Sequence, residues 1–171
     1  IGCVPDVCLD LAWRNGFAHN DESHMDDLSA HYRFLMNMAR AGVGQIAVMG
    51  TMHEVGYWEG AITADTPCNP QSLYGIAKNA LRQGLALSLA PMPVAFQWLR
   101  AFYIYGNDEK AQSIFGKLLR AARAGDERFP FTTGKNLYDF ITVEELARQI
   151  AAVALEDKVK GVINCCTGAA D

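Results

Sequence analysis

Ser72-Leu73-Tyr74-Gly75-Ile76-Ala77-Lys78-Asn79 places a Tyr and a Lys four residues apart. On a helix that spacing puts both side chains on one face. An ammonium beside a phenol favours the phenolate, so the Tyr would exchange a proton closer to neutrality than its free value of about 10. That is general acid–base equipment for interconverting a carbonyl and an alcohol. The plainer alternative is a half-buried aromatic residue and a solvated surface charge. A chain with six Tyr can also reach Tyr-x-x-x-Lys by accident, so the flanking sequence has to decide.

Such a pair needs a helix to carry it and strand ends to bring a reactant to it. Strand-like and helix-like segments alternate along the chain, which predicts an α/β fold with a parallel sheet. Residues 7–12 read as a buried strand, and 15–23 as a polar loop rich in His and Asn. Leu28, Tyr32, Leu35 and Ala39 recur at helical spacing, in a helix expected over about 25–41 with Gly42 as its stop. Residues 46–50 form the next strand. Pro70 stands near a helix start, and the Tyr74–Lys78 helix should run to about residue 89, where Pro91 and Pro93 end it. A third strand over 94–99 follows. A helix over 112–124 is closed by Gly125. Thr142 and Glu145 form a capping box for a helix to about 155, and 162–166 is the last strand. Residues 103–141 break this rhythm as a loop-rich insertion around one helix.

The 171 residues are enough for one domain with a substantial core. Half of them are hydrophobic and 20% charged, as in ordinary globular proteins. A net charge of −4 offers no electrostatic footprint for nucleic acid. No apolar run reaches membrane-spanning length, and Ile1-Gly2-Cys3-Val4-Pro5-Asp6 lacks the basic start of a signal peptide. The five Cys are odd in number and lack metal-ligand spacing, so no metal is expected. Reduced thiols in a cytoplasmic protein are the expectation.

Four segments taken together carry a resemblance. Gln45-Ile46-Ala47-Val48-Met49-Gly50-Thr51 is an apolar run ending in a hydroxyl, and Tyr74-Gly75-Ile76-Ala77-Lys78 follows it. Then come Leu99-Arg100-Ala101-Phe102-Tyr103-Ile104-Tyr105-Gly106 and Tyr138-Asp139-Phe140-Ile141-Thr142-Val143-Glu144. Their order and spacing resemble the extended short-chain dehydrogenase/reductases, the NAD-dependent epimerase/dehydratase family. The resemblance runs from about Pro5 to Gly168. It implies a partial Rossmann-like, doubly wound parallel sheet, NAD or NADP as cofactor, a nucleotide sugar as substrate and a homodimer. It also implies that about 103–141 contribute to a substrate-binding lobe on a single domain over 1–171.

By the same resemblance Tyr74 is the catalytic acid/base, Lys78 holds the nicotinamide ribose hydroxyls, and Thr51 hydrogen-bonds the substrate oxygen. Leu11 and Ala12 stand where a strand end approaches the cofactor, although Trp13 replaces a small residue there and narrows the space. Phe102 matches a position lining the nicotinamide. His53 and Tyr103 are candidate substrate contacts, Tyr103 in place of an Asn and Tyr138 in place of an Arg that pairs with diphosphate. Arg100, Lys135 and Asn136 are the residues available to replace that Arg. Arg14, His19, Asn20 and His24 cluster in the polar loop near the site or are simply solvated. Dehydratases of this type carry Thr-Asp-Glu, whereas this chain has Thr51-Met52-His53, and Met52 cannot transfer a proton. The expectation is therefore 4-keto-sugar reduction. The alternatives are a nucleotide-sugar 4-epimerase or a non-catalytic dinucleotide sensor. These 171 residues contain no Gly-x-Gly-x-x-Gly turn to cradle a diphosphate, which reads as an internal segment of a longer protein. Such a segment, expressed alone, is expected to bind dinucleotide weakly and to self-associate through its first strand.

Overall fold

The computed structural model describes residues 3–106, 113–131 and 135–170. Four parallel strands form the central sheet: β1 (Val7–Asp10), β2 (Gln45–Thr51), β3 (Ala95–Ala101) and β6 (Gly161–Cys165), in the order β1-β2-β3-β6. β1 is shorter than expected. The Asp10 carboxylate accepts from the Ala12 backbone N–H at 3.0 Å, which turns the chain out of the sheet.

Alternation along the strands builds a core on each face. Ile46, Val48 and Trp98 face α2 (Leu28–Arg40) and α3 (Leu73–Leu89), packing with Leu35, Leu81 and Leu85. Ala47, Leu99 and Ala101 face the other way, against Leu146 and Ile150 of α5 (Val143–Ala154). The result is the parallel α/β sheet that the alternation of elements predicts, covered on both faces as the family resemblance implies. Among the described residues β1 pairs only with β2, and Leu9 on it is exposed.

The helix expected from about residue 25 is interrupted. A single turn, α1 (Ser23–Asp26), precedes α2, and Asp27 stands between them. Its carboxylate leaves the helix end uncapped and is bound instead by Arg14 on the surface. α3 opens two residues after Pro70, at Ser72, whose hydroxyl accepts from Gly75 N–H at 3.2 Å.

The loop-rich insertion contains two strands that three-residue length hid from any periodicity. β4 (Tyr103–Tyr105) and β5 (Phe140–Thr142) pair in parallel, Tyr103 opposite Phe140. Between them α4 (Ile114–Ala124) starts at the cap Ser113 and ends at Gly125, whose left-handed φ of 80° closes the helix. The expected start at Gln112, and Gly134, lie outside the described residues.

Thr142 caps α5 by accepting from Glu145 N–H at 3.1 Å, but the Glu145 carboxylate turns to Arg148 and Gln149. At the far end of α5, two buried amides from the sheet take over the terminal carbonyls. Gln97 Nε2 donates to the carbonyls of Val153, Glu156 and Val159, and Gln45 Nε2 donates to Gln97 Oε1 at 2.9 Å and to Val153 and Ala154.

Candidate active site

Thr51 is the last residue of β2 and the cap of a short 3-10 turn, Met52–Glu54. Its hydroxyl accepts from His53 N–H, and the Glu54 carboxylate reaches back to Thr51 N–H at 2.8 Å. This reciprocal capping box fixes the hydroxyl at the strand end. Glu54 is fully buried. The same Oε1 that holds Thr51 accepts from the Trp98 indole N–H at 2.8 Å, and Oε2 lies 3.6 Å from both Arg82 Nε and Arg100 Nε. Gly50 makes room for this. A Cβ there would stand 2.1 Å from Trp98 Nε1 and 2.7 Å from Glu54 Oε1.

Glu54 therefore supports Thr51 from within the core and has no access to a reactant. Arg100 is spent in the same cluster, also fully buried, so it is no replacement for a diphosphate-binding Arg. Lys135 and Asn136 do line the cavity described below.

Tyr74 is in the first turn of α3, which presses on the 3-10 turn. Gly75 permits the approach, since a Cβ there would lie 2.5 Å from the His53 carbonyl. The polar loop and α1 are docked on this helix start through half-buried His19 and buried His24, while Arg14 and Asn20 remain exposed to solvent. Tyr74 N–H donates to the His19 carbonyl at 2.9 Å, and Leu73 N–H to Asn20 Oδ1 at 3.2 Å. Four rings surround the phenol: His19 stacked at 5.7 Å, His24 at 5.2 Å, His53 at 5.9 Å and Trp13 edge-on at 6.3 Å. Burial raises the Tyr74 phenol above its usual value, and a hydrogen bond with the Thr51 side chain partly offsets this.

Lys78 is brought to the same face of α3, but its ammonium does not act on the phenol as the spacing suggested. It donates to the Met49 carbonyl at 2.7 Å and lies 4.0 Å from the centre of the Trp13 ring. Its long stem lets the charge reach past the phenol to the strand. Burial pulls the amine down to about 8, against the pull of Asp10 and Glu54. The effect on Tyr74 is thus opposite to the expected one: the phenol is raised, not lowered.

Trp13 itself is held on three sides. Its indole N–H donates to His24 Nδ1 at 2.9 Å and its ring stacks on His31 at 4.4 Å, with the Lys78 ammonium on the remaining contact. Because an indole can only donate, His24 Nδ1 must accept, which leaves Nε2–H to donate to the Ala18 carbonyl at 3.0 Å. Sequence reasoning reduced Trp13 to a steric nuisance. Its aromatic type, close behind a strand end, was the available signal.

A cavity of about 990 Å³ opens beside this cluster, with His19, His53, Phe102, Tyr103, Tyr138 and Lys135 in its wall. Tyr74, Lys78 and Thr51 lie behind the His19–His53 layer, whose rings are 4.4 Å apart. Burial pushes His53 down to about 4 and lowers His19, so both imidazoles are neutral near pH 7. Tyr103 packs edge-on against Tyr138 at 4.5 Å and burial pushes its phenol up to about 12. Leu11 and Ala12 are exposed beyond the end of β1. Among the described residues no group of three or more His, Cys, Asp or Glu could hold a metal ion.

A hydroxyl at the end of a central parallel strand, a Tyr that shares a helix face with a Lys and a large cavity beside them make up the candidate site. The profile of the NAD dependent epimerase/dehydratase family matches residues 5–166. The chain belongs to this family. A dTDP-6-deoxy-L-talose 4-dehydrogenase (NAD(+)) from Aggregatibacter actinomycetemcomitans is 47% identical over 164 residues, covering 95% of this chain and 60% of its own length. The chain thus spans less than two thirds of that relative. Among solved structures, MoeE5 in complex with UDP-glucose and NAD superposes with a TM-score of 0.82 at 24% identity, over 97% of this chain and 58% of its own. TunA, an NAD dependent NDP-hexosamine 5,6-dehydratase, gives 0.84 at 20% identity, over 97% and 56%. At such identities these two likenesses speak for the epimerase/dehydratase fold alone.

Proposed function

We propose that this chain supplies the catalytic side of an NAD-dependent oxidoreductase that interconverts the 4-keto and 4-hydroxy forms of a nucleotide-linked deoxy sugar. The observation that carries this reading is the 47% identity, across nearly the whole chain, to a dTDP-sugar 4-dehydrogenase. When bound, the nicotinamide exchanges hydride with C4 of the sugar. The donors here suit its ribose: an ammonium with one of three N–H bonds spent on Met49, and a phenol beside it on the same helix face. In reduction the Tyr74 hydroxyl gives its proton to the 4-keto oxygen, and the Thr51 hydroxyl holds that oxygen. Burial raises the phenol, which keeps it in the protonated state from which it can donate. Dehydration is disfavoured because Met52 has no transferable proton and Glu54 is sealed in the core.

Residues 103–141 contribute to the substrate lobe in this reading, supported by the place of Tyr103 and Tyr138 in the cavity wall. We read the assembly as a homodimer formed through α2 and α3. An apolar groove of about 330 Å³ between these helices, lined by Met25, Leu28, Tyr32, Ala80 and Leu81, supports this. Among the described residues no helix is long and apolar enough to cross a membrane. Together with the unpaired thiols of Cys3, Cys8, Cys68, Cys165 and Cys166, that supports a cytoplasmic setting.

The test supplies the full-length protein with a dTDP-4-keto-6-deoxyhexose and NADH and follows the sugar by NMR. One NADH consumed per 4-hydroxy product is expected. A 4-epimer formed with no net loss of NADH, or no conversion at all, refutes the reading.

A further inference from the structure

Lys78 is only 2% exposed. No ribose hydroxyl can reach its ammonium as the structure stands, although the proposed function, on which this inference rests, requires that contact. Two groups cover the nitrogen. One is the Met49 carbonyl, in the backbone of a central strand paired on both sides, which cannot withdraw. The other is the Trp13 indole, half-buried and carried on the loop between β1 and α1.

We propose that Trp13 is a latched cover over Lys78, which a dinucleotide must displace before its ribose can reach the ammonium. The latch is visible as the indole N–H bond to His24 Nδ1 and the stack on His31. His24 is itself fully buried and tied to Ala18, so the anchor stays in place when the ring leaves. While the cover is closed, the cation over the ring is kept from Tyr74. Opening it frees the ammonium to serve the ribose and the phenol together. The cover thus accounts for a Tyr–Lys pair whose members share a helix face and yet are not coupled. Trp13 is a positioning residue in this scheme. It acts on the site through Lys78.

These 171 residues contain Trp13, Trp58 and Trp98, and 5-fluorotryptophan labels them together with every other Trp of the full-length protein. Trp13→Phe assigns the signal, and buried Trp98 is the internal control. On titration with NAD+ the Trp13 resonance should move while that of Trp98 stays, with binding followed in parallel by calorimetry. Stopped-flow association of NAD+ should be about tenfold faster in Trp13→Ala, which has no cation–π contact and no latch to break. Trp13→Phe keeps a ring but loses the N–H, and should fall between. Binding heat with a static Trp13 resonance, or no acceleration in Trp13→Ala, overturns the cover and leaves the dinucleotide reading standing. No binding heat at all overturns both.

Discussion

Replacing Glu54 tests whether the reactive hydroxyl is held from inside the core. Its carboxylate joins four groups: Thr51 N–H and Trp98 Nε1–H on one oxygen, and the Arg82 and Arg100 guanidiniums on the other. Glu54→Gln keeps an acceptor for the two N–H groups and removes the charge. The Arg82 side chain is 20% exposed and can turn to water, whereas that of Arg100 is 1% exposed and cannot. The cost then comes mainly from stranding Arg100, about 2–4 kcal/mol, at or below the range for breaking a buried pair. Glu54→Ala also leaves Thr51 N–H and Trp98 Nε1 unpaired, adding about 1–3 kcal/mol. Against a total of about 5–15 kcal/mol, the Ala variant should be close to unfolding. Urea denaturation of the full-length protein gives the differences from the midpoints at constant slope. Adding Arg100→Met to Glu54→Gln removes the stranded charge and should recover stability. A Glu54→Gln protein within about 0.5 kcal/mol of wild type refutes the argument. So does a double variant that is simply the sum of two losses.

Tyr74→Phe should lower turnover by about 10²–10⁴ while leaving dinucleotide affinity nearly intact, and Lys78→Ala should weaken both; steady-state kinetics with calorimetry separates the two. His53 is held near 4 in the folded protein against 6.5 when free. The unfolded state therefore takes up the extra proton, and the stability that the neutral ring contributes is complete above pH 6.5 and lost as pH falls toward 4. Urea midpoints at pH 7 and 4.5 should differ less in His53→Asn than in wild type, and an equal difference would show that the ring is not kept neutral. Light scattering at micromolar concentration should return twice the mass of one full-length chain, with a monomer contradicting the α2–α3 interface.

The strands and long helices were legible because each carries its period and its punctuation. Leu28, Tyr32, Leu35 and Ala39 announce α2, and Pro70 marks the start of the Tyr74 helix. Thr51 was legible as a strand-terminal hydroxyl. What stayed hidden depended on contacts between residues far apart in the chain. β4 and β5 are three residues each and exist through one another across 37 positions of sequence. The structural role of Glu54 emerges only with Arg82, Arg100 and Trp98 around it. The spacing of Tyr74 and Lys78 gave a shared helix face but neither the direction of a flexible four-carbon stem nor the burial that raises the phenol. Trp13 could not be weighed at all without His24 and His31.

The paired Gln45 and Gln97 amides have a consequence at the opposite end of the helix they terminate. Apart from the bond that joins the two amides, their donors meet carbonyls at the end of α5 and in the segment just after it, so the pair acts as a depth stop. Sliding the helix by a turn would break several buried bonds at once. α5 is a rod about 18 Å long, and β5 is joined directly to its other end. β5 in turn carries β4, and Tyr103 with it, into the cavity wall. The width of the cavity is thereby linked to the opposite end of α5, through two uncharged side chains that are not in its wall. Drift at either Gln would show itself first as altered substrate preference, in variants whose reactive groups are all intact.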